Sequence, residues 1–219
     1  MSRAALVVVD VQNDFCPGGA LEVPEGDEII PKINQLMEDN IQVGGELFVK
    51  TVATADWHPP GHISFASSHP GHQVHQRIEI DGLEQNLWPD HCVMGTRGAE
   101  FHPSIDTDRF DLILRKGTAP DLDSYSAFFE NDGKTPTGLE GYLHMFHVER
   151  VFIVGLAFDW CVYFSAVDAH RLGFHAFVIE DLCRAVDVPE GFADQRRQDL
   201  YQRGVELIST EEMRIRGTD

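Results

Sequence analysis

Three short apolar runs constrain this chain most, because each delivers a reactive side chain at or just beyond its carboxyl end. Ala4-Ala-Leu-Val-Val-Val closes on Asp10, and Asp111-Leu-Ile-Leu-Arg closes on Lys116 before a glycine. Val151-Phe-Ile-Val runs into the Gly155 turn, and Cys161 follows near the start of a helix read from about Asp159 or Trp160 to Leu172. Runs this short, rich in β-branched residues and unbroken by polar ones, suit parallel strands buried on both faces.

Between them the pattern alternates strand and helix. Helical periodicity runs from about Asp27 to Asp39 through Ile29, Ile30, Ile33, Leu36 and Met37, and a strand follows at Leu47 to Val52. Further on come a helix at Leu139 to His147, a strand at Phe174 to Glu180, a helix at Pro189 to Arg203 and a short strand from Val205. Such alternation predicts an α/β, three-layer Rossmann-like domain: a central, mostly parallel six-stranded sheet with helices on both faces. In these sheets ligands bind outside the carboxyl ends of the strands, where Asp10, Lys116 and Cys161 all fall. Residues 1–219 read as one domain, with a loop excursion at about 55–108 that carries seven of the eleven histidines. A loop of that length in a compact domain is usually functional.

A formal charge of −19 argues against a nucleic acid or anionic membrane partner, since both need a basic face. Cys16, Cys92, Cys161 and Cys183 form no CxxC pair, and no signal-peptide pattern precedes the first strand, so the expectation is a cytoplasmic protein. Homo-oligomerisation is left open.

Taken singly, Asp10 could cap a turn, Lys116 could reach for solvent and Cys161 could be an inert core thiol. Together they make a nucleophile, a charge stabiliser and a proton carrier. The ammonium and the helix dipole are expected to favour the thiolate, while the carboxylate moves the proton. Acyl transfer from an amide uses all three, with backbone N–H groups at Ala157 and Cys161 as oxyanion donors.

Five segments then resemble, in order, the nicotinamidase (pyrazinamidase/nicotinamidase) family of the isochorismatase-like cysteine hydrolase superfamily. They are Asp10-Val-Gln-Asn-Asp-Phe-Cys-Pro-Gly-Gly-Ala-Leu, Asp56-Trp-His58-Pro, Trp88-Pro-Asp-His91-Cys, Arg115-Lys116-Gly and Gly155-Leu-Ala-Phe-Asp-Trp-Cys161-Val. The resemblance implies a catalytic triad of Asp10, Lys116 and Cys161 that hydrolyses nicotinamide to nicotinate and ammonia in NAD salvage. It also implies one divalent metal on Asp56, His58 and His91, with Zn²⁺ the first choice and Fe²⁺ or Mn²⁺ accepted by the same donors. The metal would orient the substrate, with a pyridine nitrogen displacing water. The resemblance further places Phe15, Trp88 and Tyr125 around the ring and implies a cis peptide before Ala157.

His62 is expected to be structural or to support a ligand, and His69, His72 and His75 to be loop residues. Phe158 and Trp160 depart from the family's Gly-Leu-Ala-Thr-Asp-Tyr-Cys pattern, which keeps the loop length but changes its packing. The alternatives are another amidohydrolase of the superfamily, a hydrolase in which the metal activates water directly, and a non-catalytic ligand-binding relative.

Overall fold

Every residue of the first strand, β1 (Arg3–Val9), is buried from Ala4 onward, as an apolar run without a polar face requires. A computed structural model describes residues 2–44 and 47–216. In it β1 lies between β2 (Lys50–Asp56) and β6 (Val148–Leu156). Beyond β2 is β5 (Leu112–Lys116), and beyond β6 come β7 (His175–Arg184) and β8 (Glu206–Ile208). The sheet order is β5-β2-β1-β6-β7-β8 and every neighbouring pair is parallel.

Alternate residues of β1 feed two cores. Leu6 and Val8 pack with Ile30, Ile33, Leu36 and Met37 of α1 (Ile30–Gln42), joined by Met213 of α5 (Thr210–Arg216). Ala5, Val7 and Val9 share the opposite core with α2 (Leu139–Met145), α3 (Tyr163–Arg171) and α4 (Phe192–Arg203), through Leu143, Ala166 and Leu200. Each fully buried aliphatic side chain here stabilises by roughly 1.5–3 kcal/mol. Helices thus cover both faces of the sheet.

Several boundaries differ from the sequence reading. The strand expected at Leu47 to Val52 begins at Lys50, because the Leu47 and Phe48 N–H groups donate to Asn40 Oδ1 at 3.1 and 2.9 Å. It runs on to Asp56 through Ala53, Thr54 and Ala55, residues too small or polar to stand out by hydropathy but buried between β1 and β5. The excursion therefore starts one residue beyond Asp56. The strand expected at Val151 to Val154 is nine residues long, and Glu149 and Arg150 lie at its solvent end. A bulge between Ile153 and Gly155 adjusts its register with β7. Gly155 has φ +115°, and a Cβ there would lie 2.1 Å from the Val9 carbonyl oxygen, so no other residue fits. The excursion holds an antiparallel hairpin, β3 (Arg77–Ile80) with β4 (Leu83–Asn86), and returns beside the sheet through the bridges His58–Val93 and Phe65–Trp88. Among the described residues no helix is long and apolar enough to cross a membrane.

Candidate active site

The chain runs from β1 outward to β2 and β5, then returns to start β6 on the other side of β1. That reversal is the switch point, and four adjacent strand ends open beside it. They supply Lys116 from β5, Asp56 from β2, Asp10 just after β1, and Cys161 from the turn after β6; all four are buried. Asp10 turns the chain in the left-handed region at φ +49°, which costs about 1–2 kcal/mol in a residue with a Cβ. Thr54 Oγ1, on the neighbouring strand, donates to Asp10 Oδ1 at 2.6 Å and fixes the carboxylate.

Lys116 is the hub. Its Nζ donates to Asp56 Oδ1 and to the Ser124 carbonyl (2.9 Å), and lies 2.9 Å from Asp10 Oδ2 and 3.5 Å from Cys161 Sγ. Ligand atoms of Asp10, Asp56 and Cys161 lie within 4.8 Å of one another, and the cation they share is this ammonium. Asp10 Oδ2 faces the ammonium at 2.9 Å and also lies in reach of the Cys161 thiol.

Electrostatics here follow from burial first. Desolvation pushes the Asp10 carboxyl above its usual range, although Lys116 pulls the other way. For Asp56, desolvation is outweighed by Lys116 and His58, which hold it well below the carboxylate range. Lys116 is held well above its usual value because its two carboxylate partners outweigh the cost of burial.

Cys161 differs from expectation. Burial pushes its thiol well up, more than Lys116 pulls it down, so the ammonium's pull toward the thiolate is there but is outweighed by desolvation. Nor does Cys161 stand in the first turn of a regular helix. Residues Phe158–Val162 form a π-type turn, with Val162 N–H donating to the Ala157 carbonyl at 3.1 Å, before α3 begins. The raised carboxyl of Asp10 is correspondingly a better base for the thiol proton. The peptide between Leu156 and Ala157 is cis.

Asp56 turns its other oxygen to the excursion. Oδ2 lies 3.6 Å from His58 Nε2 and 3.8 Å from His91 Nε2, and the three ligand atoms fall within 4.8 Å of one another, all in buried residues. His58 Nδ1 pairs with the Gly117 carbonyl at 2.9 Å and His91 Nδ1 with the Pro89 carbonyl at 2.8 Å. A carbonyl can only accept, so each Nδ1 carries a proton, which leaves Nε2 as the ring atom that each histidine can offer to a metal beside Asp56. Two oriented imidazoles and a carboxylate are a donor set that suits a divalent ion. Gln12 holds Asp56 from behind: its amide donates to the Asp56 carbonyl and accepts from the Asp56 N–H, both at 2.8 Å.

His62 stacks on His58 with ring centroids 4.2 Å apart. Its own nitrogens pair with Ser64 Oγ (2.8 Å) and the Leu122 carbonyl (3.3 Å), so it backs the His58 ring. Gly117 (φ +63°) has a matching role, since a Cβ there would lie 2.5 Å from His58 Cε1. Gly117→Ala is therefore expected to displace the ring and to weaken the hold of this donor set on any divalent ion by roughly 10–100-fold, measured by chelator competition.

One cleft opens onto Cys161, Asp56 and His91, lined by Phe15, Leu21, Asp56, Trp88, His91, Asp123, Tyr125, Ala157, Trp160, Cys161 and Val186, while Asp10, Lys116 and His58 stand outside its lining. The expected Phe15, Trp88 and Tyr125 are all in its wall, and Trp88 Nε1 donates to Tyr125 Oη at 3.1 Å. Leu21, Asp123, Trp160 and Val186 were not anticipated as wall residues. Trp160 carried a signal, its departure from the family pattern beside the nucleophile. Asp123 and Val186 lie in loops with no periodicity to read. Asp159 ties the Val186 loop to the Cys161 turn, its carboxylate accepting from Val186 N–H (3.0 Å) and Asp187 N–H (2.9 Å).

Cys16, Cys92 and Cys183 are buried free thiols. Burial pushes Cys16 and Cys183 up to about 12, as it also raises Cys161, but neither of them lines the cleft. His69 is half-buried, and His72 and His75 are exposed.

Comparison with known proteins agrees in extent with this geometry. The isochorismatase domain family model matches residues 4–212. A curated nicotinamidase of Acinetobacter baylyi is 47% identical over 209 residues, covering 95% of this chain and 94% of that protein. The solved structure of an Acinetobacter baumanii nicotinamidase–pyrazinamidase superposes with a TM-score of 0.90 at 47% identity, covering 97% of this chain and 99% of the other. A Pyrococcus horikoshii pyrazinamidase in complex with zinc gives a TM-score of 0.76 at 35% identity, covering 94% of this chain and 99% of that one.

Proposed function

The chain belongs to the isochorismatase domain family, and on that premise we propose that it is a nicotinamidase, hydrolysing nicotinamide to nicotinate and ammonia through a thioester on Cys161. The observation that carries the reading is the meeting of Asp10, Lys116 and Cys161 with Asp56 and His91 around one aromatic-walled cleft.

Asp10 takes the Cys161 proton as the sulfur attacks the amide carbon, and Lys116, 3.5 Å from Sγ, steadies the charge that develops. The backbone N–H groups of Ala157 and Cys161 serve as donors to the carbonyl oxygen as it becomes an oxyanion. Asp10 then passes the proton to the departing nitrogen, and ammonia leaves behind a thioester. Water attacks the thioester with Asp10 as base, the C–S bond breaks, and the thiol is restored with its proton. Overall one amide and one water become one carboxylic acid and one ammonia.

Asp56, His58 and His91 would hold a divalent ion, with zinc favoured by the donor set and by the zinc complex of the Pyrococcus relative, and iron or manganese compatible. Bound there, it supplies a Lewis-acid anchor for the ring nitrogen. Phe15, Trp88 and Tyr125 enclose the flat ring, and orientation of this kind is worth up to about 7 kcal/mol of barrier. The reading extends to a cytoplasmic role in NAD salvage, supported by four unpaired cysteines of the kind a reducing compartment maintains.

Ammonia release from nicotinamide by the purified, zinc-loaded protein tests this directly. Steady release with an equal amount of nicotinate is expected. No release would overturn the assignment.

A further inference from the structure

The reaction cleft adjoins a second cavity. This outer space is a solvent-facing groove walled by Arg77, Glu84, Asn86, Phe164, Phe192 and Arg196, and it shares just two lining residues with the inner cleft, Tyr125 and Trp160. Those two rings form the partition.

They are held differently. Tyr125 is anchored by the hydrogen bond from Trp88 and by its ring stacked on Phe164, centroids 5.3 Å apart. Trp160 has no acceptor for its buried indole N–H. Ring contacts hold it instead, against Trp88 (4.7 Å), Tyr125 (5.2 Å) and Phe192 (5.5 Å). With only 9% of its surface exposed, the residue belongs to the walls of both spaces.

We propose that Trp160 sets the upper size limit of the aromatic amide this site hydrolyses, by closing the inner cleft against the outer cavity. This rests on the amidase reading above and deepens it. A single pyridine carboxamide stays on the inner side. A fused or ring-extended carboxamide needs the volume that the indole occupies, and a pocket wall of this kind discriminates by excluded volume. Trimming Trp160 joins the two spaces and supplies that volume.

The test compares kcat/KM for nicotinamide and quinoline-3-carboxamide in the zinc-loaded wild type, Trp160→Ala and Trp160→Phe. The wild type is expected to prefer nicotinamide strongly. In Trp160→Ala the quinoline-to-nicotinamide ratio rises by about tenfold or more, chiefly through a lower KM for the larger amide, and Trp160→Phe shows a smaller rise. If Trp160→Ala does not fold, Trp160→Leu makes the same measurement.

A ratio unchanged in the folded variants overturns the proposal, as does a wild type that hydrolyses both amides equally well. In either case nicotinamide turnover by the wild type leaves the amidase reading standing. A wild type inert on nicotinamide removes that reading and this inference together.

Discussion

Cys161→Ala is expected to lose nicotinamide turnover by on the order of 10⁴-fold or more while keeping its fold and its metal. The sulfur is the atom that forms and releases the acyl group, and no neighbouring side chain replaces it. Lys116 and Asp10 are charge and proton groups, and Cys16, Cys92 and Cys183 do not line the cleft. Removing the sulfur leaves Asp56, His58 and His91 untouched, with the Nδ1 contacts to Gly117 and Pro89 intact. Zinc content, read by elemental analysis, should therefore match the wild type. Substantial ammonia release by the metal-loaded variant would favour the rival in which the metal activates water directly.

Lys116→Met should cost stability as well as activity. Asp10 and Asp56 are buried carboxylates, and Lys116 is the ammonium that both face. Taking one partner from a buried ionic cluster costs about 3–5 kcal/mol, because the remaining charge has neither water nor a counter-ion. Urea unfolding at neutral pH measures this.

The pH dependence follows from the shifts of Lys116 and Asp56, with the Asp10 carboxyl, raised by burial, partly opposing Asp56 as pH falls. A lysine whose folded pKa is raised above its ordinary 10.5 contributes stability that is full below that value and lost as pH rises through the folded one. A depressed carboxyl such as Asp56 contributes stability present above its ordinary 3.8 and lost as pH falls through its lower folded value. The wild type's advantage should thus persist across neutral pH and shrink in strong acid. Adding Asp10→Asn to Lys116→Met should recover part of the stability and none of the activity, since the base is then gone too. An unfolding midpoint unchanged by Lys116→Met would contradict the cluster.

The main features legible in the sequence were those that hydropathy encodes. β1 and the entry to the Cys161 turn announce themselves as unbroken apolar runs, and parallel topology then brings Asp10, Lys116 and Cys161 to one edge. β2 was misplaced at both ends because its start is set by an Asn40 side chain and its end by small residues, neither of which hydropathy weighs. The Pro-flanked blocks of the excursion suggest ordered loops with short strands, but the places of β3 and β4 do not show, since Leu83-Glu-Gln-Asn is mostly polar and largely exposed. The Asp56 and His58 pair shows in its spacing, but His91 is brought to it by the His58–Val93 and Phe65–Trp88 bridges, tertiary contacts with no local signature.

Position near a helix start favours a thiolate at Cys161, but desolvation of the buried sulfur is the larger effect. Trp160 and Asp123 were missed as wall residues because the cleft is made by loops whose approach depends on the finished fold.

The central claim is that acyl transfer passes through Cys161. Its most direct test is the intact mass of zinc-loaded wild-type protein acid-quenched within its first turnover on nicotinamide, followed by peptide mapping. A nicotinoyl adduct on the peptide that contains Cys161, absent from Cys161→Ala, is the predicted result. Ammonia released in that first turnover with no adduct on Cys161, by a Cys161→Ala protein as readily as by wild type, would contradict it.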